Sequence, residues 1–347
     1  MLSSIDEYRK HPEDQTWDLP PWGHPLSQGI LPLCMSFEDM LFPIGTAFTI
    51  GRGIGFVVTA MHNIREAWKR EPRLAHLLQA RDLPRSVDMR EVGFSVFHHR
   101  VNADGGISFT ILPLQSVDGA PPTDVAFAFP VFHQGLETLV HPLGFDLPTV
   151  ATRVISIGYA DFKFPNNGIS LADVRAGTFD WLNDYSHRFT VVEGQVHRIF
   201  TQRFSSAFVE GPCFTFDASI PHGLSGGPVI SSDGVVIGVN AAGADSFFPR
   251  PMSIASLLYP LLLTTLRFGV SLGPIKLNGS RDLFSLIRQG AVATDGSESR
   301  VAFSQALMAT SNSPTCGHSN SPRQDGSDYG FSGPSVLTAM HAAGGLP

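Results

Sequence analysis

Short apolar runs, separated by glycine, proline and small polar residues, recur along the first three quarters of the chain. They occupy residues 30–33, 46–50, 55–60, 92–96, 107–112, 154–159, 189–192, 194–199, 214–217, 227–230 and 235–240. Short runs bounded by turn residues are typical of β-strands, and their repetition along the chain is typical of closed β architecture. The pattern therefore predicts an all-β fold.

Two segments interrupt the strand pattern with helical character. Residues 64–82 carry helix-forming residues of mixed charge, which predicts a helical insertion that breaks at Pro72. Residues 254–266 are strongly apolar, but the segment is shorter than the roughly 20 residues of a membrane-spanning helix and contains Pro260. We therefore expect 254–266 to form a helix packed on the folded domain, with no membrane contact.

The two ends of the chain differ in composition from the region between them. Residues 1–28 are polar with scattered proline and tryptophan, which predicts an N-terminal arm. Residues 292–347 are rich in serine, glycine, alanine and asparagine and contain few large apolar side chains. Such a segment buries too little surface to offset its chain entropy, so we expect a tail over 273–347 that is mostly disordered.

Charge and cysteine content narrow the classes of function. The net charge is −7, so the chain lacks the basic footprint of a nucleic-acid-binding protein. The first residues are acidic where a secretory signal would be basic and then apolar. Cys34, Cys213 and Cys316 are too few and too scattered for a disulfide framework. Together these features predict a cytoplasmic protein in a reducing environment.

A serine flanked by glycines provides the first candidate for catalytic chemistry. Ser225 lies in a glycine-rich stretch at 222–228, directly before an apolar run. A serine is a weak nucleophile until a base removes its proton and fixed amides receive the developing oxyanion. Glycines allow the tight backbone that directs amides and hydroxyl to one point. Ser225 is therefore the candidate nucleophile.

A histidine earlier in the chain is the candidate base. His62 follows the apolar run at 55–60, and imidazole suits general-base catalysis because its pKa lies near neutral pH. His98 and His99 are alternatives, but they lie inside an alternating segment without such a run before them. We therefore assign the general base to His62.

Three aspartates compete for the role of orienting acid. Asp124 leads into an apolar run that predicts a buried strand, whereas Asp104 and Asp118 each precede glycine and are typical of turns. Asp124 is therefore the candidate acid. The chain order is then His62, Asp124 and Ser225, with separations of 62 and 101 residues.

These three segments resemble the trypsin/chymotrypsin superfamily, and most of all its bacterial HtrA-like and glutamyl-endopeptidase-like branch. The resemblance covers roughly residues 29–270. It implies two six-stranded antiparallel β-barrels, a first over 29–150 carrying His62 and Asp124, and a second over 151–272 carrying Ser225 and ending in a C-terminal helix. The tail is too short and polar for a PDZ-like domain.

The resemblance also implies roles for the neighbours of Ser225. The oxyanion hole would be formed by the amides of Gly223 and Ser225. Leu224 stands where the digestive enzymes have an aspartate that pairs with a new N-terminus on activation, so that kind of activation is not expected. The primary specificity pocket would have Ser219 at its base and the strand Asn240, Ala241, Ala242 and Gly243 along its side.

A serine endopeptidase is the function that these residues indicate. We expect it to bind a protein or peptide substrate, to cut after a small or medium uncharged residue, and to act on a restricted intracellular target. No metal or cofactor is implied, because cysteine and histidine lack ligand spacing. The alternatives are a catalytically silent or trigger-dependent binding module on the same fold, and an esterase, although the motif around Ser225 is not the nucleophile elbow of esterase folds.

Overall fold

The structure is a computed structural model that describes most of the chain. The described residues are 5–51, 55–70, 93–101, 107–120, 122–130, 141–202, 209, 211–243, 249–272, 275–301 and 337–340. Strands dominate these residues, as the sequence predicts. The all-β, two-barrel prediction is confirmed.

The first barrel is a closed ring of six antiparallel strands. They are β2 (Ile30–Phe37), β3 (Met40–Ile50), β4 (Phe56–Ala60), β5 (Gly93–Val101), β6 (Ile107–Gly119) and β7 (Val125–Pro130). The order is β6-β5-β2-β3-β4-β7, and pairing of β6 with β7 closes the ring. The barrel is filled by aliphatic side chains that include Leu31, Leu33, Ala47, Val57, Val96, Leu112 and Ala126. β7 begins directly after Asp124.

The second barrel is also a closed six-stranded ring. Its strands are β8 (Arg153–Lys163), β10 (Ser186–Phe200), β11 (Cys213–Phe216), β12 (Pro228–Ser231), β13 (Val236–Gly243) and β14 (Ser253–Leu257). The short β9 (Ile169–Ser170) lies between β8 and β10 in the chain and pairs with β3 of the first barrel. The order is β10-β11-β14-β13-β12-β8, and β8 pairs back with β10. The runs predicted separately at 189–192 and 194–199 form one continuous strand, because β10 pairs with β8 up to Gln195 and with β11 from Val196 onward.

Helices are short in the described part of the chain. They are α1 (Met61–Arg70), α2 (Leu171–Ala176) and α3 (Leu283–Arg288), with single 3₁₀ turns at Pro25–Gln28, Tyr259–Leu263 and Ser297–Arg300. α1 carries the first part of the predicted helical insertion, whereas 71–82 lie outside the described residues. None of the helices described here has the length and apolar character needed to cross a membrane.

The predicted C-terminal helix over 254–266 is not formed. This segment contains β14, the 3₁₀ turn at Tyr259–Leu263 and the start of β15 (Thr265–Leu272), which pairs with β16 (Ile275–Asp282). β14 pairs with β11 on one side and β13 on the other, so both its faces and both its edges are covered by protein. A short run that is apolar on all sides fits a buried strand as well as a helix, and barrel closure selects the strand.

Structure also extends further into the tail than the composition predicts. Residues 275–301 form β16, α3 and a 3₁₀ turn, and Leu283, Leu286 and Val292 are buried in the main core. Asp282 caps α3 by accepting from the amide of Ser285 at 2.7 Å. These few apolar side chains find partners on the barrels, which composition alone does not reveal. Residues 302–336 and 341–347 lie outside the described residues, and 337–340 form β17 (Leu337–Met340) beside β6.

The N-terminal arm is attached to the second barrel. Its β1 (Thr16–Leu19) pairs antiparallel with β10, and Ile5 and Trp17 are buried. The Arg9 guanidinium lies over the Trp17 ring and pairs with Glu193, to which Arg153 also binds. Burial alone would raise the pKa of Glu193, but hydrogen bonds from the two arginines outweigh it and lower this pKa.

A cluster of buried histidines and aromatic rings joins the arm to both barrels. Trp22 of the arm packs edge-on against His99 of β5 and His187 of β10, with ring centroids 5.0 and 4.7 Å apart. His187 also packs on Tyr159 of β8, whose hydroxyl donates to the Ile30 carbonyl of the first barrel at 3.1 Å. Burial lowers the pKa of His99 to about 4, with a further contribution from the nearby His98, and it lowers the pKa of His187 to about 3.

Candidate active site

His62 and Asp124 are directly paired at the edge of the first barrel. Nδ1 of His62 lies 2.6 Å from Oδ2 of Asp124. An ionised carboxylate only accepts hydrogen bonds, so the ring proton belongs on Nδ1 and Nε2 is the acceptor nitrogen. The side chain of Asp124 is 3 % exposed and that of His62 is 36 % exposed. The imidazole is therefore paired through Nδ1 with a buried carboxylate, while the ring remains partly exposed to solvent.

The start of α1 fixes the position of Asp124. Its Oδ1 accepts from the His62 amide at 2.9 Å, and its carbonyl accepts from the Met61 amide at 3.1 Å. The first amides of a helix lack partners within the helix, and a carboxylate there satisfies them and interacts favourably with the helix dipole. These bonds connect Asp124, directly before β7, to the first two residues of α1.

Ser225 lies on the loop that enters β12 of the second barrel, against the first barrel. Its carbonyl accepts from the Thr46 amide and from Asn63 Nδ2, both at 2.9 Å. The following Gly226 has φ +89°, and a Cβ at this position would overlap the Thr46 carbonyl and the Thr59 hydroxyl and lie 2.9 Å from the Ala60 amide nitrogen. The two barrels thus approach each other closely beside the candidate nucleophile, and only glycine fits there.

The amides of Gly223 and Ser225 have no acceptor among the described residues. Gly223 has φ +103°, and a Cβ there would lie 2.6 Å from the Tyr159 carbonyl oxygen. Leu224, between them, is fully buried in the core of the second barrel. An apolar anchor therefore occupies the position where the resemblance places an activating ion pair in digestive enzymes. Two unengaged amides flanking it are the arrangement that an oxyanion hole requires.

The Ser225 hydroxyl is bonded to a backbone carbonyl rather than to His62. Its Oγ donates to the Ala241 carbonyl at 3.4 Å, and no hydrogen bond joins these two described side chains. The rival base His99 is buried and bonded to Ser27 at 3.0 Å. His62, by contrast, lies on the helix that contacts the Ser225 loop, because the adjacent Asn63 donates to the Ser225 carbonyl.

The residues predicted to bind substrate differ in how far they are exposed. Ala242 is half-buried and Gly243 is exposed, and a Cβ on Gly243 would lie 4.0 Å from the carbonyl oxygen of Ile220, next to the exposed Ser219. The end of β13 and the loop of Ser219 thus face each other across a narrow gap. Ala241 is buried and offers its carbonyl to Ser225.

Asn240 is placed differently from the sequence prediction. It is fully buried, its side chain donates to Ser156 and to the Leu224 carbonyl, and its backbone pairs with Gly226 and Gly227. Apart from the bond to Ser156, these contacts are made to the underside of the nucleophile loop, the loop at 222–227 that carries Ser225. Asn240 therefore supports this loop and does not line the cleft. An irregularity in β13 gives the physical reason, because its register with β14 shifts between Asn240 and Ala242 and interrupts the alternation that would place both side chains on one face.

Two residues that contact the nucleophile loop were not identified as functional from the sequence. Thr46 lies in β3, and Asn63 directly follows His62. Both are buried polar residues in apolar surroundings, which is a signal of a required hydrogen bond. The sequence alone does not show which partner each would find.

Comparison with known proteins identifies one family match. The family model described as the trypsin-like peptidase domain matches residues 45–239, which is more than half of the chain and includes His62, Asp124 and Ser225. No curated protein matches the chain in sequence.

Three solved structures are similar to the chain at low identity. The MamO protease domain from Magnetospirillum magneticum, apo form, is 15 % identical, with 68 % of this chain and 94 % of that chain covered and a TM-score of 0.39. Deg5 is 18 % identical, with 67 % and 84 % covered and a TM-score of 0.39. The Rv3671c protease, inactive form, is 14 % identical, with 67 % and 84 % covered and a TM-score of 0.36. On the family match, the chain belongs to the trypsin-like peptidase domain family.

Proposed function

We propose that the chain is a serine endopeptidase in which Ser225 is the nucleophile, His62 the general base and Asp124 the orienting acid. One arrangement carries the proposal: a carboxylate-paired His62 and the unengaged amides of Gly223 and Ser225 lie on either side of the close contact that the barrels make at Gly226. The pairing supplies a base and the amides supply an electrostatic site for a developing oxyanion.

The proposed reaction is acyl transfer through a covalent intermediate. Ser225 Oγ forms a bond to the scissile carbonyl carbon while its proton passes to Nε2 of His62. The carbonyl oxygen becomes an oxyanion that accepts from the amides of Gly223 and Ser225. Collapse breaks the carbon–nitrogen bond, and His62 returns the proton to the leaving amine. Water, activated by the same base, then hydrolyses the ester and regenerates Ser225.

The edge of β13 is suited to hold the substrate backbone. Beyond Asn240, Ala242 and Gly243 pair with β14 on one side only among the described strands. A peptide laid along the other edge would add a strand and bring its scissile bond toward Ser225. The small side chains there favour a small or medium uncharged residue before the cut, and we propose a restricted intracellular target.

A fluorophosphonate probe tests the catalytic assignment directly, because it phosphonylates only an activated serine. We expect labelling of the wild type and its loss in Ser225→Ala and His62→Ala. Ser232→Ala is the matched control, since Ser232 is an exposed serine in the following hairpin. Absence of wild-type labelling in all conditions, or labelling that persists in Ser225→Ala, would contradict the proposal.

Mass-spectrometric profiling of new N-termini tests the substrate assignment. Cells expressing the wild type are compared with cells expressing Ser225→Ala, so that only cuts made by this serine are scored. We expect few cleaved proteins, with small or medium uncharged residues before the cut. Broad digestion of unrelated proteins by the purified enzyme would contradict a restricted target.

A trigger-dependent or silent binding module is the second candidate, and one observation favours it. Ser225 Oγ bonds to the Ala241 carbonyl rather than to His62. The bond between a catalytic serine and its histidine is often long or poorly aligned before substrate binds. Rotation of the Ser225 side chain from Ala241 to His62 is therefore the step that distinguishes an active peptidase from a silent or trigger-dependent module. A module of this kind would bind peptides equally as wild type and Ser225→Ala in calorimetry, while the wild type would stay unlabelled by the probe.

A further inference from the structure

The peptide groups around Ser225 are held in defined orientations. In the 225–226 peptide, the carbonyl is bonded to the first barrel and the Gly226 amide donates to the Asn240 carbonyl at 2.8 Å. In the 224–225 peptide, the Leu224 carbonyl accepts from the Gly227 amide at 2.9 Å. Because a peptide group is planar, the Ser225 amide must then point away from the second barrel's interior. These orientations leave that amide available in the cleft.

Thr46 holds this loop at two points from the first barrel. Its hydroxyl accepts from the Tyr159 amide at 2.8 Å, so its single proton is directed to the Gly223 carbonyl, also at 2.8 Å. Its own amide donates to the Ser225 carbonyl at 2.9 Å. The carbonyls on both sides of Leu224 are therefore bonded to one fully buried residue.

Asn63 provides a third bond from the helix that carries His62. Its amide group donates to the Ser225 carbonyl at 2.9 Å and to the Thr59 hydroxyl at 3.2 Å. Thr59 in turn donates to the Thr46 carbonyl at 2.7 Å. A Cβ at Gly45 would lie 2.9 Å from Cγ of Asn63, so the side chain fills the space that this glycine leaves. Two hydrogen bonds and close packing against Gly45 therefore hold the Asn63 side chain in place.

We propose that Thr46 and Asn63 are positioning residues that set the nucleophile loop relative to His62. This inference rests on the proposed peptidase function. Neither side chain is placed to touch substrate, because both are buried beneath the loop. They act through Ser225 and Gly223: they fix the carbonyls of these residues and hence the direction of the oxyanion amides. Asn63 is adjacent in sequence to His62, so its bond sets the nucleophile's distance from the base.

Three variants of these residues test the proposal through rate and local order. Thr46→Val keeps the shape of the side chain but removes the hydroxyl, whereas Thr46→Ser retains it. Asn63→Ala removes the third bond. We expect Thr46→Val and Asn63→Ala to slow fluorophosphonate labelling by about 10- to 100-fold, because small misplacement of reacting groups costs this much. Thr46→Ser should label within about threefold of the wild type. On a peptide substrate the loss should fall on kcat rather than KM.

Thr49→Val is the matched control for general destabilisation. Thr49 is a fully buried threonine of the same strand, and its hydroxyl donates to the Gly29 carbonyl at 3.3 Å, away from Ser225. We expect Thr49→Val to lower the melting temperature as Thr46→Val does, while labelling stays at the wild-type rate. Equal labelling by Thr46→Val, Asn63→Ala and Thr49→Val would overturn the proposal.

Hydrogen exchange supplies a readout that does not depend on activity. The amides of Gly226 and Gly227 should exchange at least about tenfold faster in Thr46→Val and Asn63→Ala than in Thr49→Val, because local opening exposes them. Unchanged exchange in these amides would overturn the inference even if the wild type is active. A wild type that resists labelling would instead refute the peptidase function, while exchange still decides how the loop is held.

Discussion

Replacement of Gly226 by alanine tests whether the contact between the barrels is as tight as the structure indicates. Gly226 has φ +89°, which disfavours any side chain by about 1–2 kcal/mol. A Cβ there would also overlap the Thr46 carbonyl and the Thr59 hydroxyl, and the Ala60 nitrogen would lie 2.9 Å away. Overpacking in a tight interior adds about 1–3 kcal/mol. We expect the upper part of that range, because two of these atoms belong to the backbone of paired strands.

The matched control separates backbone strain from steric overlap. Gly177 has φ +71° at the end of α2, and a Cβ there would meet nothing within 4 Å. Gly177→Ala should therefore lose only the conformational part, about 1–2 kcal/mol. Gly226→Ala should lose about 2–3 kcal/mol more than this control, a large share of the 5–15 kcal/mol that stabilises a typical domain.

Urea denaturation followed by tryptophan fluorescence measures both variants, since the chain has four tryptophans. The difference in free energy of unfolding between Gly226→Ala and Gly177→Ala isolates the overlap. A difference below about 0.5 kcal/mol would refute the reasoning, because surface-like substitutions stay within that limit. In the folded fraction of Gly226→Ala, fluorophosphonate labelling should also slow, since separation of the barrels moves Ser225 away from His62.

Three further outcomes are expected. Asp124→Asn should slow fluorophosphonate labelling by about 10³–10⁴-fold, because an amide favours the wrong tautomer of His62; a loss under tenfold in a labelling time course would contradict the role of Asp124. The buried histidines His99 and His187 have pKa values lowered to about 4 and about 3, whereas an unfolded histidine titrates near 6.5. The unfolded state then binds more protons below pH 6.5, so the contribution of these histidines to the free energy of unfolding is complete only above this pH. It should fall by about 2–5 kcal/mol as the pH approaches 4. A urea midpoint that stays constant between pH 7.5 and 4.5 would argue against their burial. Trp17→Ala should destabilise the protein by about 3–5 kcal/mol because Trp17 is 5 % exposed in the arm. Leu182→Ala, at a side chain that is 71 % exposed, should change the melting temperature little, and similar melting temperatures for both variants would contradict docking of the arm.

Local sequence patterns were sufficient to predict most strands and the assignment of candidate roles. Strands such as β4 and β7 are short apolar runs bounded by turn residues, and this signal needs no information from the rest of the chain. The choice of Asp124 over its rivals also depended on local context. Asp124 directly precedes the buried strand β7. Asp118, which the sequence placed in a turn, lies instead near the end of β6, and Asp104 lies outside the described residues.

The segments that the sequence did not predict are those whose partners are distant. Residues 254–266 are apolar on all sides, and only pairing of β14 with β11 and β13 selects a strand there. Residues 275–301 are weakly apolar, and they are ordered because Leu283 and Val292 reach a core built by other parts of the chain. A pattern of residue types cannot specify such contacts, because they join positions far apart in sequence.

The candidate site divides in the same way. The sequence by itself determined the β class, the order His62, Asp124 and Ser225, and the glycines that make a tight loop possible, since each follows from residue type and immediate neighbours. Only the tertiary structure decided that Asp124 bonds to His62, that Ser225 turns to Ala241, and that Thr46 and Asn63 hold the loop. The physical reason is that hydrogen bonds between barrels depend on distances of a few tenths of an ångström, which are set only when both barrels have closed and packed together.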